Sequence, residues 1–177
     1  MLEDHKGDFR KLCIKRLKFV SRFHKIKNDK KIINNLYELI DNLEAKKVLL
    51  YLPLKMEVDI LPLIKRLRAE KKVQVYVPYM FEDSFKIVKY RLPLKKKKFG
   101  IKEPNNSFLK PKVDLVVVPT IGIDGNYKRV GFGAGMYDGF FHRLDYKPTI
   151  VLTQRELCFT SKLLTDNYDI QADYIVT

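Results

Sequence analysis

Cysteine is scarce in this chain of 177 residues, and Cys13 and Cys158 are its only two. They form neither a CxxC motif nor a zinc-binding spacing, which excludes the common structural zinc sites and indicates a reduced, cytoplasmic setting. No apolar run approaches the ~18 residues that a membrane-spanning helix needs. The first residues, MLEDHKGDFRKL, are too charged for a signal peptide. These absences predict a cytoplasmic protein without a membrane partner.

Acidic residues are also few relative to basic ones. The chain has 35 lysine and arginine residues against 21 aspartate and glutamate residues, which leaves a formal net charge of +14 at pH 7. Such a charge attracts polyanions, a class that includes nucleotides, phosphorylated metabolites, polyglutamates and RNA. Charge alone therefore leaves open a basic nucleic-acid-binding protein, although no recognisable RNA- or DNA-binding motif supports that function.

Apolar residues, by contrast, are abundant enough for one sizeable core. A hydrophobic content of 46% and the length of 177 residues predict a single domain over residues 1–177, without internal repeats or a low-complexity linker. Short β-rich runs alternate with helical segments, which is typical of an α/β fold with a mainly parallel sheet covered on its faces. The predicted strands span residues 48–52, 73–77, 85–90, 113–118, 149–153 and 174–176.

Two amphipathic helices are predicted ahead of the sheet, as a helical N-terminal arm. Apolar residues recur at helical spacing from residue 2 to about 27, and Asn28 and Asp29 are interpreted as the cap of the second helix. Further helices are predicted over about 60–69, opened by Asp59, and over about 136–143. The strand over 73–77 is expected to stop at Pro78.

The strongest local signal is a glycine-rich loop with the sequence KRVGFGAGMYD at 128–138. Glycine at every second position lets successive backbone N–H groups point at one place, and a helix after Gly135 adds its positive dipole end. Arg129 at the entry can bind the same anion with two hydrogen bonds. The pattern is neither GxGxxG nor a Walker A loop. It predicts a phosphate site, with a plain loop whose glycines serve only turns as the alternative.

Two cations of the first helix, Lys6 and Arg10, lie beside its apolar stripe, whereas the other lysines of that helix point away. A cation that faces the body of a protein usually meets an anion there, because an unpaired buried charge is costly. For Lys6 the alternative is a frayed, solvated terminus, since Gly7 delays the start of the helix.

Carboxylates near these segments offer further candidates. Glu57 follows a predicted buried strand, where strand-end loops converge, and is a candidate substrate-binding group. Asp138 either complements the dipole of the following helix or holds Mg²⁺ beside a phosphate. A late acidic group can supply a second metal ligand: Asp166, Asp169 and Asp173.

Several segments, in the same order along the chain, resemble the 5-formyltetrahydrofolate cyclo-ligase family. The stretch RVGFGAGMYD at 129–138, preceded by VPTIGID at 118–124, is similar to the family signature. The remaining similar segments are Lys6 to Arg10, Tyr51 to Asp59, Gly100 to Pro104 and Tyr168 to Thr177.

The resemblance implies a three-layer α/β/α fold of the NagB/RpiA/CoA-transferase-like type and an enzyme that requires ATP and Mg²⁺. Its implied reaction converts 5-formyltetrahydrofolate to 5,10-methenyltetrahydrofolate and releases ADP and phosphate. ATP phosphorylates the formyl oxygen, N10 attacks the activated carbon, and phosphate leaves as the ring closes. Such phosphoryl transfer depends on positioning and charge neutralisation.

The resemblance also assigns roles to residues of this chain. Glu57 and Arg129 are the catalytic residues. The implied nucleotide-binding residues are Lys6, Arg10, Arg129, Gly131, Phe132, Gly133, Ala134, Gly135, Met136 and Tyr137. The implied folate contacts are Arg10, Leu52, Glu57, Phe132 and Met136. The implied Mg²⁺ ligands are Asp138 and Asp173.

One departure concerns the charge of the glycine loop. Ala134 stands where the family usually has lysine, which removes a phosphate-facing cation that Lys128 or the lysines at 95–98 would have to replace. The alternatives are a non-catalytic folate- or nucleotide-binding relative, a relative with a changed substrate, or a basic nucleic-acid-binding protein. The expected partners are ATP and 5-formyltetrahydrofolate, with or without a polyglutamate tail. We expect a monomer that binds no specific nucleic acid.

Overall fold

The computed structural model describes residues 5–97 and 102–177 and begins with two long helices. The helices are α1 (His5–Phe23), α2 (Lys25–Asn42), α3 (Leu61–Glu70) and α4 (Met136–His142). The strands are β1 (Lys47–Leu49), β2 (Gln74–Phe81), β3 (Ser84–Lys89), β4 (Lys95–Lys96), β5 (Lys102–Glu103), β6 (Leu115–Pro119), β7 (Gly122–Ile123), β8 (Arg129–Val130), β9 (Thr149–Thr153) and β10 (Tyr174–Val176).

Six of these strands form one sheet in the order β10-β9-β6-β1-β2-β3. All neighbours in it are parallel except β2 and β3, which form an antiparallel hairpin. Two small antiparallel pairs, β4 with β5 and β7 with β8, lie outside this sheet. The mainly parallel α/β fold expected from the sequence is therefore confirmed.

The core lies on both faces of the sheet, because successive strand residues point to opposite sides. Val48 and Leu50 pack in one cluster with Leu36 of α2 and with residues of α3. Leu49 packs in a second cluster with Phe140 of α4. Both faces are covered by helices, which explains why the strands read as continuous apolar runs.

The boundary between the first two helices differs from the prediction. α1 ends at Phe23 and α2 begins at Lys25, so Asn28 and Asp29 lie inside α2 and cap nothing. The physical reason is that Asp29 is buried and forms an ion pair with Arg155, with 2.6 Å between Oδ1 and Nε. The capping interpretation is therefore wrong.

The strand β2 also differs, because it continues through Pro78 to Phe81. Its pairing with β1 ends at Tyr76, so the N–H that proline lacks is not needed on that edge. Two residues later the Met80 N–H donates to the carboxylate of Glu103 at 2.9 Å. An edge position past the last β1 pair thus tolerates proline within the strand.

The two cysteines form a disulfide, with Cys13 in α1 bonded to Cys158 after β9 at 2.05 Å between the sulfur atoms. The expectation of unpaired, reduced cysteines is wrong for this fold. Sequence spacing could not reveal the pair, because 145 residues separate the two positions and only the packing of α1 joins them. Among the described residues, none of the helices has the length and apolarity to span a membrane.

Candidate active site

A cavity of about 320 Å³ opens beyond the carboxyl end of β1 and beside the end of β6. Its walls are mostly apolar, and its charged lining residues are Glu57, Glu103 and Arg129. The other lining residues are Tyr51, Leu52, Leu54, Pro78, Met80, Phe85, Pro119, Phe132, Ala134, Gly135, Met136 and Tyr137. Strand ends of an open α/β sheet are the usual place for a ligand, and this cavity has that position.

Glu57 lies in the turn after β1, where its Oε2 accepts the Leu54 N–H at 2.7 Å. Burial raises the pKa of the Glu57 carboxyl to about 7, against the opposing effects of the Leu54 N–H and of Arg129. Burial, and next the Glu57 carboxyl, also raise the pKa of the hydroxyls of Tyr51 and Tyr137, so both tyrosines stay neutral. The cavity therefore contains one carboxyl that exchanges its proton near neutral pH.

Arg129 comes from β8, and its nearly buried side chain crosses the start of the glycine loop. Its Nε donates to the Pro119 carbonyl at 3.2 Å, and its Nη1 pairs with Asp138 Oδ2 at 3.3 Å. A Cβ at Gly131 would lie 2.3 Å from Arg129 Nη2, so only glycine leaves room for the guanidinium. Gly131 thus allows the Arg129 guanidinium to lie against the wall of the cavity.

The glycine loop takes backbone conformations that favour glycine. Gly133 has φ +100° and Gly135 has φ +63°, both in the left-handed region. Arg10 of α1 donates from Nε to the Gly131 carbonyl at 2.8 Å, and its guanidinium lies near Gly133. Arg10 therefore adds a positive charge beside this loop, and it faces the protein body as its place beside the apolar stripe of the helix predicted.

A second cavity, of about 530 Å³, lies on the other side of the Arg129–Asp138 pair. Arg129 lines the first cavity and Asp138 lines the second, so this ion pair joins the two. The other residues that line the second cavity are Phe141, His142, Lys147, Ile150, Asn167, Tyr168, Asp169, Ile170, Gln171, Ala172 and Asp173.

Asp138 and Asp173, the implied magnesium ligands, both line this second cavity. Asp138 Oδ1 is buried and has no hydrogen-bond partner among the described residues, whereas Asp173 Oδ2 accepts the Ile150 N–H at 2.8 Å. Within residues 5–97 and 102–177 no group of three or more metal-ligating side chains occurs. Two carboxylates still fit Mg²⁺, which takes its other ligands from phosphates and water.

Lys6 meets an anion, as expected for a cation facing the protein body, and that anion is a protein carboxylate. Its Nζ lies 2.5 Å from Asp169 Oδ2 and 4.0 Å from Asp166 Oδ2. Because Asp169 lines the second cavity, the pair places Lys6 at the rim of that cavity. The alternative of a frayed, solvated Lys6 is not what the structure has.

The proposed substitutes for the missing loop lysine have other positions. Lys128 donates from Nζ to the Asp166 carbonyl at 2.8 Å, and Lys95 and Lys96 lie exposed in β4. Lys98 lies outside the described residues, as do the first two residues of the segment Gly100 to Pro104. Arg10 and Arg129 are instead the cations that lie against the glycine loop.

Three charged residues near the site were missed by sequence reasoning. Glu103 lines the first cavity, and Arg155 with Asp29 holds the segment that carries Glu57. The available signal for Arg155 was a charged residue two positions after the apolar strand β9. The available signal for Glu103 was its place in the segment Gly100 to Pro104, which resembles the family but was given no role.

The chain is similar to known proteins in sequence and in fold. A model of the 5-formyltetrahydrofolate cyclo-ligase family matches residues 3–177. The chain is 26% identical over 152 residues to 5-formyltetrahydrofolate cyclo-ligase from Haemophilus influenzae, covering 80% of this chain and 81% of that protein. It is 24% identical over 173 residues to the enzyme of that name from Mycoplasma pneumoniae, covering 97% of each.

Two solved structures have the same fold. A 5,10-methenyltetrahydrofolate synthetase from Mycoplasma pneumoniae superposes with a TM-score of 0.70 at 22% identity, covering 97% of this chain and 98% of that one. The 5,10-methenyltetrahydrofolate synthetase from Aquifex aeolicus superposes with a TM-score of 0.79 at 29% identity, covering 97% and 88%.

Proposed function

The chain belongs to the 5-formyltetrahydrofolate cyclo-ligase family and is a ligase-class enzyme, and we propose that its two joined cavities hold the folate and ATP. Its reaction is the conversion of 5-formyltetrahydrofolate to 5,10-methenyltetrahydrofolate. The observation that carries the proposal is the Arg129–Asp138 pair, which lies between an apolar cavity and a polar one. Phosphoryl transfer depends on positioning and on neutralising the phosphate charge, and the guanidinium at this junction supplies positive charge.

The folate ring system belongs in the first cavity. Leu52, Phe132 and Met136 supply apolar contact for it, and the volume of about 320 Å³ suits a ring of that size. Arg10 lies near the same loop, where its guanidinium suits the carboxylates of a glutamate tail. A polyglutamate tail would extend this contact.

ATP belongs in the second cavity, with its phosphates directed at the junction. Gly131 lies against the Arg129 guanidinium at that junction, and Arg129 supplies positive charge. Lys6 at the cavity rim would exchange its protein carboxylate for a phosphate oxygen when the nucleotide binds. Arg129 and Lys6 thereby supply the positive charge of the family's usual loop lysine, which Ala134 replaces in this chain.

Asp138 and Asp173 would hold Mg²⁺, and the buried, unpartnered Asp138 Oδ1 is the observation that supports this. When bound, Mg²⁺ neutralises phosphate charge and orients the phosphates for transfer. The pairing of Asp138 Oδ2 with Arg129 orients the carboxylate so that Oδ1 remains for the metal.

Glu57 would act as the base of ring closure. The formyl oxygen is a poor leaving group until ATP phosphorylates it, which releases ADP. N10 then attacks the activated carbon, loses its proton to the Glu57 carboxylate, and phosphate departs as the ring forms. A carboxyl with a pKa of about 7 is suited to take a proton at neutral pH. Arg129 would stabilise the charge that develops on the phosphate.

The proposal includes a single catalytic domain over residues 1–177 that works as a monomer in the cytoplasm. The disulfide removes the argument from unpaired thiols on which the cytoplasmic prediction partly depended. In this proposal the net charge of +14 serves to attract the anionic substrates. RNA binding, if it occurred, would weaken steeply with salt and would be unchanged by Glu57→Gln.

The test is turnover of 5-formyltetrahydrofolate with Mg-ATP, followed by the near-ultraviolet absorbance of the methenyl product. We expect product only with ATP, and losses of at least ~10²-fold in kcat/KM for Glu57→Gln, Arg129→Gln and Asp138→Asn.

The matched controls are Arg143→Gln for Arg129→Gln and Asp145→Asn for Asp138→Asn. Each removes the same charge from an exposed ion pair close in sequence to the site. Both controls should keep wild-type turnover. A folded wild-type protein that forms no product and binds neither ATP nor folate in calorimetry would overturn the proposal.

A further inference from the structure

Arg155, which follows β9, binds the main chain that carries the proposed base. Its side chain is fully buried. Nη1 donates to the Met56 carbonyl at 3.1 Å, and Nη2 donates to the Glu57 carbonyl. These bonds leave the Glu57 carboxylate at the folate cavity, where it accepts the Leu54 N–H. The turn is therefore held on one side by its own carboxylate and on the other by the guanidinium.

Asp29 of α2 completes this arrangement. Its Oδ1 lies 2.6 Å from Arg155 Nε, and its Oδ2 accepts from Nη2 at 3.1 Å. The same Oδ2 accepts the Asp59 N–H at 3.1 Å. One ion pair thus binds three main-chain groups within residues 56–59.

The ion pair is itself fixed by both N-terminal helices. Ser21 Oγ of α1 accepts from Arg155 Nη1 at 2.6 Å, and Asn28 Nδ2 of α2 donates to the Arg155 carbonyl at 3.2 Å. The N-terminal arm is therefore connected to the Glu57 turn through a buried arginine.

Stability alone is a weak reason for such a pair. A buried ion pair often contributes less than well-packed apolar residues of the same volume, because both charges lose their hydration. A guanidinium with five donors in a fixed plane does what an apolar side chain cannot, since it sets the positions of several carbonyls at once. The turn after β1 carries Glu57, the proposed base, and a base works only if its carboxylate is placed accurately relative to the substrate.

We infer that Arg155, oriented by Asp29, is a positioning residue that holds the main chain at 56–57 so that the Glu57 carboxylate faces the folate. The inference rests on the proposed function of Glu57. Arg155 touches neither substrate and acts through the turn.

The first experiment uses a double variant that carries both Asp29→Asn and Arg155→Gln and so removes both buried charges together. It is compared with the wild type. We expect kcat/KM for the folate to fall about 10-fold or more, while the Kd for ATP stays within about 2-fold. Leu36→Ala, in the buried face of α2, is the matched control for lost stability and should leave both quantities unchanged. If the double variant does not fold, Arg155→Lys, which keeps the charge beside Asp29 with fewer donors, gives the same two readings.

The second experiment repeats the Arg155 substitution in a Glu57→Gln background. If Arg155 acts through Glu57, its effect on kcat/KM disappears there. Equal effects in both backgrounds, or an effect no larger than that of Leu36→Ala at the same Tm, would overturn the inference. The proposed function fails separately, if the wild type does not turn over the folate or if Glu57→Gln alone keeps full activity.

Discussion

Burial of the Glu57 carboxyl favours its protonated form, whereas its proposed role as a base requires the ionised form. The apolar cavity raises its pKa to about 7, and the Leu54 N–H with the Arg129 charge moderates the shift. Without those two groups the carboxyl would hold its proton at neutral pH and could accept none. The balance of burial and nearby donors therefore sets the pH range in which the residue can work.

This balance predicts that Glu57→Gln stabilises the protein above neutral pH while it removes activity. A carboxyl whose pKa is 4.5 when unfolded and about 7 when folded opposes folding as the pH rises through that interval, because the folded state must then ionise it. The full effect above pH 7 is about 2 kcal/mol after allowance for partial exposure. Urea unfolding at pH 4 and pH 8 measures it.

The variant should match the wild type at pH 4 and exceed it at pH 8. Glu38→Gln on the exposed side of α2 is the control for loss of one negative charge. A difference between Glu57→Gln and wild type that is the same at both pH values would contradict the raised pKa.

Among the elements, the glycine loop and the short helix α4 place their glycines under different demands. Gly131 lies against the Arg129 guanidinium, so a methyl group there would push the arginine away from Asp138. Gly139 lies inside α4, where a Cβ would meet Ser84 Oγ at an ordinary 3.6 Å. The same change, glycine to alanine, therefore tests the site in one element and the helix in the other.

Gly131→Ala should lower turnover about 10²-fold, because the displaced guanidinium no longer neutralises the phosphate. Gly139→Ala should keep turnover and raise the free energy of unfolding by about 0.5–1 kcal/mol, since alanine is the better helix former. Steady-state kinetics and urea unfolding of both variants measure these effects. Normal turnover in Gly131→Ala would mean that Arg129 is not needed where the structure has it.

Sequence patterns predicted the elements that depend on local periodicity. The strands at 149–153 and 174–176 and the helix after Gly135 lie where the apolar spacing and the glycines predicted them. The predicted end of the strand at Pro78 was wrong, because proline ends a strand only where a neighbouring strand needs a backbone N–H at that position. Whether it does is known only from the pairing of β1 with β2. Local spacing has no information on such an edge.

In the candidate site, too, local motifs were predictable from the sequence and contacts between distant segments were not. Eight residues that the resemblance assigned to catalysis or to nucleotide or folate binding line the first cavity: Leu52, Glu57, Arg129, Phe132, Ala134, Gly135, Met136 and Tyr137. Three of them, Ala134, Gly135 and Tyr137, were assigned to the nucleotide alone, and their roles stay predictions. Asp29 was misread as a cap because its partner, Arg155, lies 126 positions away. Contacts between distant segments depend on how the chain packs, and a short stretch of sequence carries no information about that packing.

At the scale of the whole molecule, the disulfide joins the first helix to the chain after β9. It closes 145 residues of sequence, so the unfolded chain loses much of its freedom when the bond is present. The first helix also holds Arg10 beside the glycine loop. The disulfide and the Arg10 contact with the glycine loop thus occur on the same helix.

Reduction of the disulfide should lower the free energy of unfolding by about 2–4 kcal/mol. Thermal unfolding with and without a phosphine reductant measures the shift. The double variant Cys13→Ser with Cys158→Ser should already have the lower Tm and show no further effect of reductant. An equal Tm of the wild type with and without reductant would contradict a stabilising bond.

The disulfide also gives the chain the covalent form of a ring with two tails, which leave it at Cys13 and Cys158. Lys6 on one tail and Asp169 on the other meet again outside the ring. A protease that cuts one peptide bond anywhere inside the ring would therefore leave a single molecule, heavier by one water. Its two fragments would separate on a gel only after reduction.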